Sequence, residues 1–323
     1  MTESVEIAST PRRLPLKRRR KSVLLQRVEY AAYRAVAALV RRTSEDRLAR
    51  WGSRLGRLIG RVIASRSRLA LRNLRAAFPQ KSERECREIL DRCWRHFGWE
   101  ALLYLHMQNM SLAEIAERCP PVNVHILDEA IAEGRGTILI SAHFGGWEVG
   151  GLAIMGMAAN VRTVARPLDN EYLERDLQRI RERTGAQMID RNRAARPLLE
   201  ALHENATVVM LPDQRVLPRE GILVPFLGRD AWTTPGPAKM ALRLGARIIF
   251  AFCMPEGTRH QLEFEEPIRI DDLRDEEKTP EALTRRINDV ISRRIAANPE
   301  LWLWMHDRWK GNRTADGETA DAK

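Results

Sequence analysis

Two ionisable side chains, His143 and Glu148, stand five residues apart in SAHFGGWEVGG (141–151), directly after GTILI (136–140), which reads as a buried strand. A histidine at the mouth of a strand is placed to act as a general base, because its ordinary pKa lies near neutrality. On an unbroken helix a spacing of five points the two side chains to different faces. The intervening Gly145 and Gly146 allow a tight turn that returns the carboxylate to the imidazole, and they let a substrate approach the backbone. Glu148 would then fix the imidazole tautomer and stabilise the imidazolium. No serine or cysteine is placed as a nucleophile, so the fitting substrate is an alcohol whose proton His143 removes before attack on an activated acyl group. The same spacing also fits a structural His–Glu pair at a helix N-terminus.

These residues need a strand and a following helix to position them, and the surrounding pattern supplies both. From about residue 120, apolar β-rich runs (GTILISA, VRTVA, AQMI, ATVVML, RIIFAFC, QLEFEEP) alternate with helical stretches (NEYLERDLQRIRERTG, AARPLLEALHEN, PGPAKMALRLG). This alternation predicts an α/β fold, a mixed central sheet flanked by helices. Ligands of open α/β sheets bind off the strand carboxyl ends, where His143 lies. Upstream, Pro79 stops a helix. Ser82 and Glu85 form a Ser-x-x-Glu capping box opening a long helix that carries His96 and His106, both read as packed or surface histidines.

The 323 residues suffice for one large domain. The four cysteines show no CxxC spacing and the seven histidines no HExxH pattern, so neither a metal nor a disulfide framework is expected. Charge is uneven. Residues 1–75 hold 20 Lys and Arg against 5 Asp and Glu, whereas the remainder holds 34 against 38. This basic front end points to an anionic surface.

After RRLPLKRRRK (12–21), Arg27 interrupts the apolar stretch, which excludes a signal peptide. Residues 23–40 contain Arg27, Glu29 and Arg34 and make a poor membrane span. They read instead as an amphipathic helix with Arg27, Arg34 and Arg41 on one face. A second follows, with Arg47, Arg50, Arg54, Arg57 and Arg61 beside an apolar stripe of Leu48, Trp51, Leu55, Leu58 and Val62. Such helices either pack on a core or lie in a membrane surface; the charge favours anionic lipid. No helix-turn-helix, zinc finger or RNP-like motif accompanies the arginines, so no nucleic acid partner is expected. The expected organisation is a basic disordered tail (1–22), amphipathic membrane-associating helices forming an N-terminal arm (23–66), a catalytic domain (67–310) and a polar, disordered tail (311–323).

SAHFGGWE resembles the His-x4-Glu motif of the lysophospholipid-type acyltransferase superfamily. The chain is most similar to the lipid A late acyltransferases, the lauroyl and myristoyl transferases of lipopolysaccharide synthesis. NLRAAFP (73–79), ARPLDN (165–170), RERTGAQMIDR (181–191), VVMLPDQ (208–214), VPFLGRDAWTTPGPAKMALRLGA (224–246) and PELWLWMHDRWK (299–310) follow in family order. The resemblance implies an acyltransferase with acyl-acyl carrier protein as donor and a hydroxyl of a Kdo-bearing lipid A precursor as acceptor, without metal or organic cofactor. It makes His143, Glu148, Arg181 and Asp213 catalytic. Arg166, Gly145, Gly146 and Gln214 would contact substrate, the arginines handling an oxyanion or lipid phosphates. Asp213 also fits a structural role, orienting an arginine. Trp302, Trp304 and Trp309 are read first as core. Where relatives carry an apolar anchor helix, this chain has the arginine-studded segment 23–40. The expected location is the cytoplasmic face of the inner membrane, peripheral or held by a single N-terminal anchor. A phosphatidylinositol mannoside acceptor, or a non-catalytic basic peripheral membrane protein, are the alternatives.

Overall fold

The computed structural model describes residues 22–108, 110–165, 168–185, 187–190 and 194–311. Most of both expected tails lies outside them. Four helices come first: α1 (Val23–Arg41), α2 (Glu45–Val62), α3 (Ala64–Ala77) and α4 (Glu83–Met107). The body continues through α5 (Leu112–Arg118), β1 (Pro121–Val122), α6 (His125–Ala132), β2 (Thr137–Ile140), α7 (Trp147–Met157), β3 (Val161–Ala165), α8 (Glu171–Thr184), β4 (Gln187–Asp190), α9 (Ala195–His203) and β5 (Thr207–Met210). It closes with β6 (Ile222–Phe226), β7 (Arg229–Thr233), α10 (Gly236–Leu244), β8 (Arg247–Glu256), β9 (Arg259–Ile268) and α11 (Pro280–Ala297).

Seven strands form one mixed sheet in the order β1-β9-β8-β2-β5-β3-β4. All its pairings are parallel except the β8–β9 hairpin. This is the expected mixed α/β fold. All four residues of β2 are buried, as a strand covered on both faces requires. Alternation assigns its side chains to opposite cores. Ile138 and Ile140 join Val208, Ile248, Phe250 and Phe252 under α3, α9, α10 and α11. Leu139 joins Val209, Ile249 and Ala251 under α5, α6 and α7. Full burial of each such aliphatic side chain contributes about 1.5–3 kcal/mol. The remaining strands, β6 and β7, pair separately as an antiparallel hairpin. It turns through Leu227 and Gly228, both at positive φ.

Helix α4 begins with the expected capping box at Ser82 and Glu85. It is also the platform for the arm. Gly52, Gly56 and Gly60 of α2 form a stripe one residue wide, and a methyl group at any of them would collide with α4 at Trp94, Gly98 or Trp99. The buried face of α2 is thus Leu48 and these glycines. Its apolar stripe points outward instead: Trp51, Leu55, Leu58 (55% exposed) and Val62 (74% exposed) are open. Helix α3 runs across the boundary expected at 66/67, so arm and body are continuous. No described helix is long and apolar enough to cross a membrane.

Helix α1 docks through its polar face. Asn170 donates to the Gln26 carbonyl at 2.9 Å, Gln26 Oε1 accepts from the Glu171 amide at 3.0 Å, and Tyr30 donates to Asp176 at 3.0 Å. Its apolar side chains Val23, Leu24, Val28, Val36 and Leu39 remain exposed.

Candidate active site

Strands β2 and β5 pair in parallel with Ile140 opposite Met210. Three residues beyond each partner come His143 and Asp213. Parallel register therefore brings together two side chains that are 70 positions apart in sequence. The carboxylate holds the histidine twice: Oδ1 accepts from the ring Nδ1 at 2.9 Å and Oδ2 from the His143 backbone amide at 3.0 Å. Oδ2 also accepts from the indole Nε1 of Trp302 at 2.9 Å.

Asp213 is 1% exposed and the His143 side chain 24%. A carboxylate only accepts hydrogen bonds, so Nδ1 carries the proton and Nε2 is the nitrogen left with a free lone pair. Burial pulls the His143 pKa down, but the charge and hydrogen bond of Asp213, with the charge of Glu148, outweigh it and the net shift is upward. Burial pushes Asp213 up. The charge and hydrogen bond of His143, together with the Trp302 indole and the His143 amide, reverse this and hold the carboxyl below its ordinary value. Both shifts favour the charged pair, which makes His143 a stronger base than a free imidazole.

The hydrogen-bonding partner of the imidazole is thus Asp213, which corrects the expectation that Glu148 orients it. The physical reason is register: Asp213 projects from the neighbouring strand end, whereas Glu148 is the second residue of α7. Glu148 acts on His143 through its charge, and its Oε1 accepts from Trp147 Nε1 at 3.2 Å. The Trp147 ring lies 5.6 Å from the imidazole, centroid to centroid. A carboxylate in the first turn is also favoured by the helix dipole. The reading of Asp213 as a partner for an arginine yields to its partner His143.

The two glycines serve the turn. Gly145 adopts φ +59°, and a Cβ there would strike the Cys253 carbonyl. Its amide donates to Leu301 O at 2.8 Å, and that of Gly146 to Cys253 O at 2.9 Å. Both amides are therefore spent within the protein. Gln214 follows Asp213 and is half-buried. Arg181 falls in α8, and Arg166 lies outside the described residues.

Three residues of the closing block gain roles that sequence reasoning missed. Trp302 is the indole donor to Asp213, and a buried indole N–H regularly needs such a partner. His306 Nε2 accepts from the Arg215 amide at 3.1 Å. Arg308, fully buried, donates to Trp232 O at 2.7 Å and Thr233 Oγ1 at 2.6 Å. Burial lowers its pKa to about 10, against the attraction of Asp213. The segment is stitched to the catalytic turn, for Leu303 N donates to His143 O at 3.1 Å. Trp304 and Trp309 are core, as expected. Among the described residues no three His, Cys, Asp or Glu side chains gather as a metal site.

A base at the carboxyl ends of adjacent strands, oriented by a buried carboxylate, is equipped to deprotonate a hydroxyl. Comparison with known proteins identifies the family. The chain is 28% identical to the lipid A biosynthesis lauroyltransferase of Escherichia coli K12 over 264 residues, covering 81% of this chain and 84% of that protein. It is 25% identical to the myristoyltransferase of the same organism over 256 residues, 78% of each. It is 30% identical over 186 residues to the phosphatidylinositol mannoside acyltransferase of Mycobacterium tuberculosis H37Rv, and that match spans 57% of either chain. The profile of the family described as bacterial lipid A biosynthesis acyltransferase matches residues 16–311, and the chain belongs to that family.

Proposed function

We propose that this protein transfers a fatty acyl group from acyl-acyl carrier protein to a hydroxyl of a Kdo-bearing lipid A precursor. The observation that carries the reading is the His143–Asp213 pair at the ends of β2 and β5. Nε2 of His143 takes the hydroxyl proton as the oxygen attacks the thioester carbonyl. The resulting oxyanion collapses, the C–S bond breaks, and the proton passes from His143 to the departing thiolate. Asp213 keeps the imidazole in the required tautomer and stabilises the imidazolium. Glu148 raises the basicity of His143 through its charge. Arg166 and Arg181 supply positive charge for the oxyanion or the lipid phosphates. The chemistry needs neither a metal nor an organic cofactor.

The outward apolar side chains of α1 and α2, among many arginines, support peripheral attachment to anionic lipid at the cytoplasmic face of the inner membrane. Basic surface also suits an acidic carrier protein. The mycobacterial relatives favour one second reading, a phosphatidylinositol mannoside acceptor.

The test is transfer by purified wild type and His143→Ala, given both acceptors and a panel of acyl-carrier-protein donors. A product one acyl chain heavier than the lipid A precursor, lost in the variant, is the expected result. A product on the mannoside alone would replace the acceptor, and none on either would overturn the reading.

A further inference from the structure

Behind the catalytic turn lies a second histidine–carboxyl pair that the proposed chemistry does not use. His260 of β9 donates from Nε2 to Glu100 Oε1 of α4 at 2.8 Å. The His260 side chain is 1% exposed and that of Glu100 8%. His96, one helical turn before Glu100, places Nδ1 3.7 Å from the same oxygen. Burial holds its imidazole below the ordinary range, against the pull of the Glu100 carboxyl and the Gly145 backbone. The ring of Trp99 stacks on His260 at 5.2 Å and 15°.

Burying polar groups is costly unless they are paired and hydrogen-bonded, and Glu100 and His260 meet that condition in each other. What they touch is the turn. A Cβ at Gly146 would stand 2.6 Å from His260 Nε2 and 2.9 Å from Glu100 Oε2. The pair therefore lies against the backbone three residues after His143, where α7 begins. The aromatic ladder repeats the link from α4, with Phe97 edge-on to Trp147 at 5.5 Å and Trp147 against His143 at 5.6 Å. In front, the turn is held by Leu301, Leu303 and Asp213. Behind, Glu100 and His260 close the vice.

We propose that Glu100 and His260 are positioning residues, which fix the back of the turn and so the angle at which the His143 ring meets Asp213. The inference rests on the base role given to His143 above. It extends that role to two residues which touch neither His143 nor a substrate.

The experiment is histidine-selective 15N NMR of the full chain, with the His143 Nδ1–H resonance assigned by its loss in His143→Gln. Steady-state kinetics of acyl transfer accompany it. In Glu100→Ala the His143 resonance should be displaced or broadened, and kcat should drop by about tenfold to a hundredfold with KM within about twofold. Glu100→Gln, which keeps the acceptor oxygen, should restore both. If Glu100→Ala does not fold, His260→Gln removes the ring beside Gly146 while keeping a nitrogen donor, and the same displacement is expected. An unmoved His143 resonance in a folded variant overturns the proposal. The resonance is read without substrate, so the two failures are distinguishable: a wild type inactive on every acceptor sinks the proposed function on which this inference rests, whereas an unmoved resonance in an active wild-type background sinks this inference alone.

Discussion

Asp213 holds His143 at both ring and backbone, with Nδ1 and the amide 2.9 and 3.0 Å from its two oxygens. One side chain thereby sets the tautomer, the ring plane and the start of the turn. Asp213→Asn keeps the shape but lets the amide group donate to Nδ1, which moves the imidazole proton to Nε2 and removes the base. Transfer should fall by about 10²–10⁴ in kcat, the range a general base supplies. Circular dichroism should show an intact fold. A variant within about threefold of wild type would take Asp213 out of the mechanism.

The upward shift of His143 has opposite consequences for rate and stability. As a base, His143 works deprotonated, so kcat/KM should rise with pH through a midpoint above the ordinary 6.5. As a group whose folded pKa is raised, its contribution to stability is complete below the unfolded pKa and is lost as pH rises through the folded one. The difference in Tm between wild type and His143→Gln should therefore shrink as pH climbs above 6.5, over the window in which activity appears. A difference that widens with pH would contradict the charged pair.

Glu148 should be separable from Asp213 by the same profile. Its charge helps raise His143, whereas the tautomer belongs to Asp213. Glu148→Gln should move the acid limb of kcat/KM to lower pH and reduce kcat by about tenfold or more. It should leave the Nδ1–H resonance of His143 in place, while Asp213→Asn abolishes it. An acid limb that stays where it was would confine Glu148 to the start of α7.

Much of the fold was legible because its strands are short apolar runs between helical patterns. VRTVA coincides with β3, and the long helix starts at its capping box. His143 was legible because a histidine after a buried strand is conspicuous. Asp213 was legible only through the family block VVMLPDQ, and its pairing with His143 was not, because no local pattern joins residues 143 and 213; only the β2–β5 register does. Glu148 is nearer in sequence and carries the charge such a partner needs. The β6–β7 hairpin was missed although Leu227-Gly228 marks its turn. The glycine stripe of α2 is invisible to hydrophobic periodicity, because Gly52, Gly56 and Gly60 bury backbone instead of side chain.

That stripe predicts an unusual sensitivity. In an exposed helix, Gly56→Ala would stabilise by roughly 1 kcal/mol through helix propensity. Here the added methyl would enter the Trp94 carbonyl, so α2 must lift off α4. The net effect should be a loss of about 1–3 kcal/mol, as for other overpacked sites. Gly151, whose Cβ would meet open space, is the control and should gain or hold stability as alanine. Urea unfolding of both variants measures the contrast, and a stabilised Gly56→Ala would show that the helices are not in such close contact.

The outward stripe of α2 sets the last prediction. Trp51, Leu55, Leu58 and Val62 are exposed while the adjoining face of the same helix is packed on α4, so polar substitutions on the stripe should cost the fold little. They should cost membrane attachment much more. Leu55→Asp with Leu58→Asp removes two apolar side chains and adds two negative charges, and basic residues near an anionic surface contribute about 1 kcal/mol each. Binding to vesicles rich in anionic lipid should weaken by at least about tenfold in a sedimentation assay, with Tm nearly unchanged. Equal weakening on vesicles of neutral lipid would assign the attachment to apolar burial alone. Wild-type binding to both would remove the stripe from the membrane interface and leave the apolar face of α1 as the surface to test.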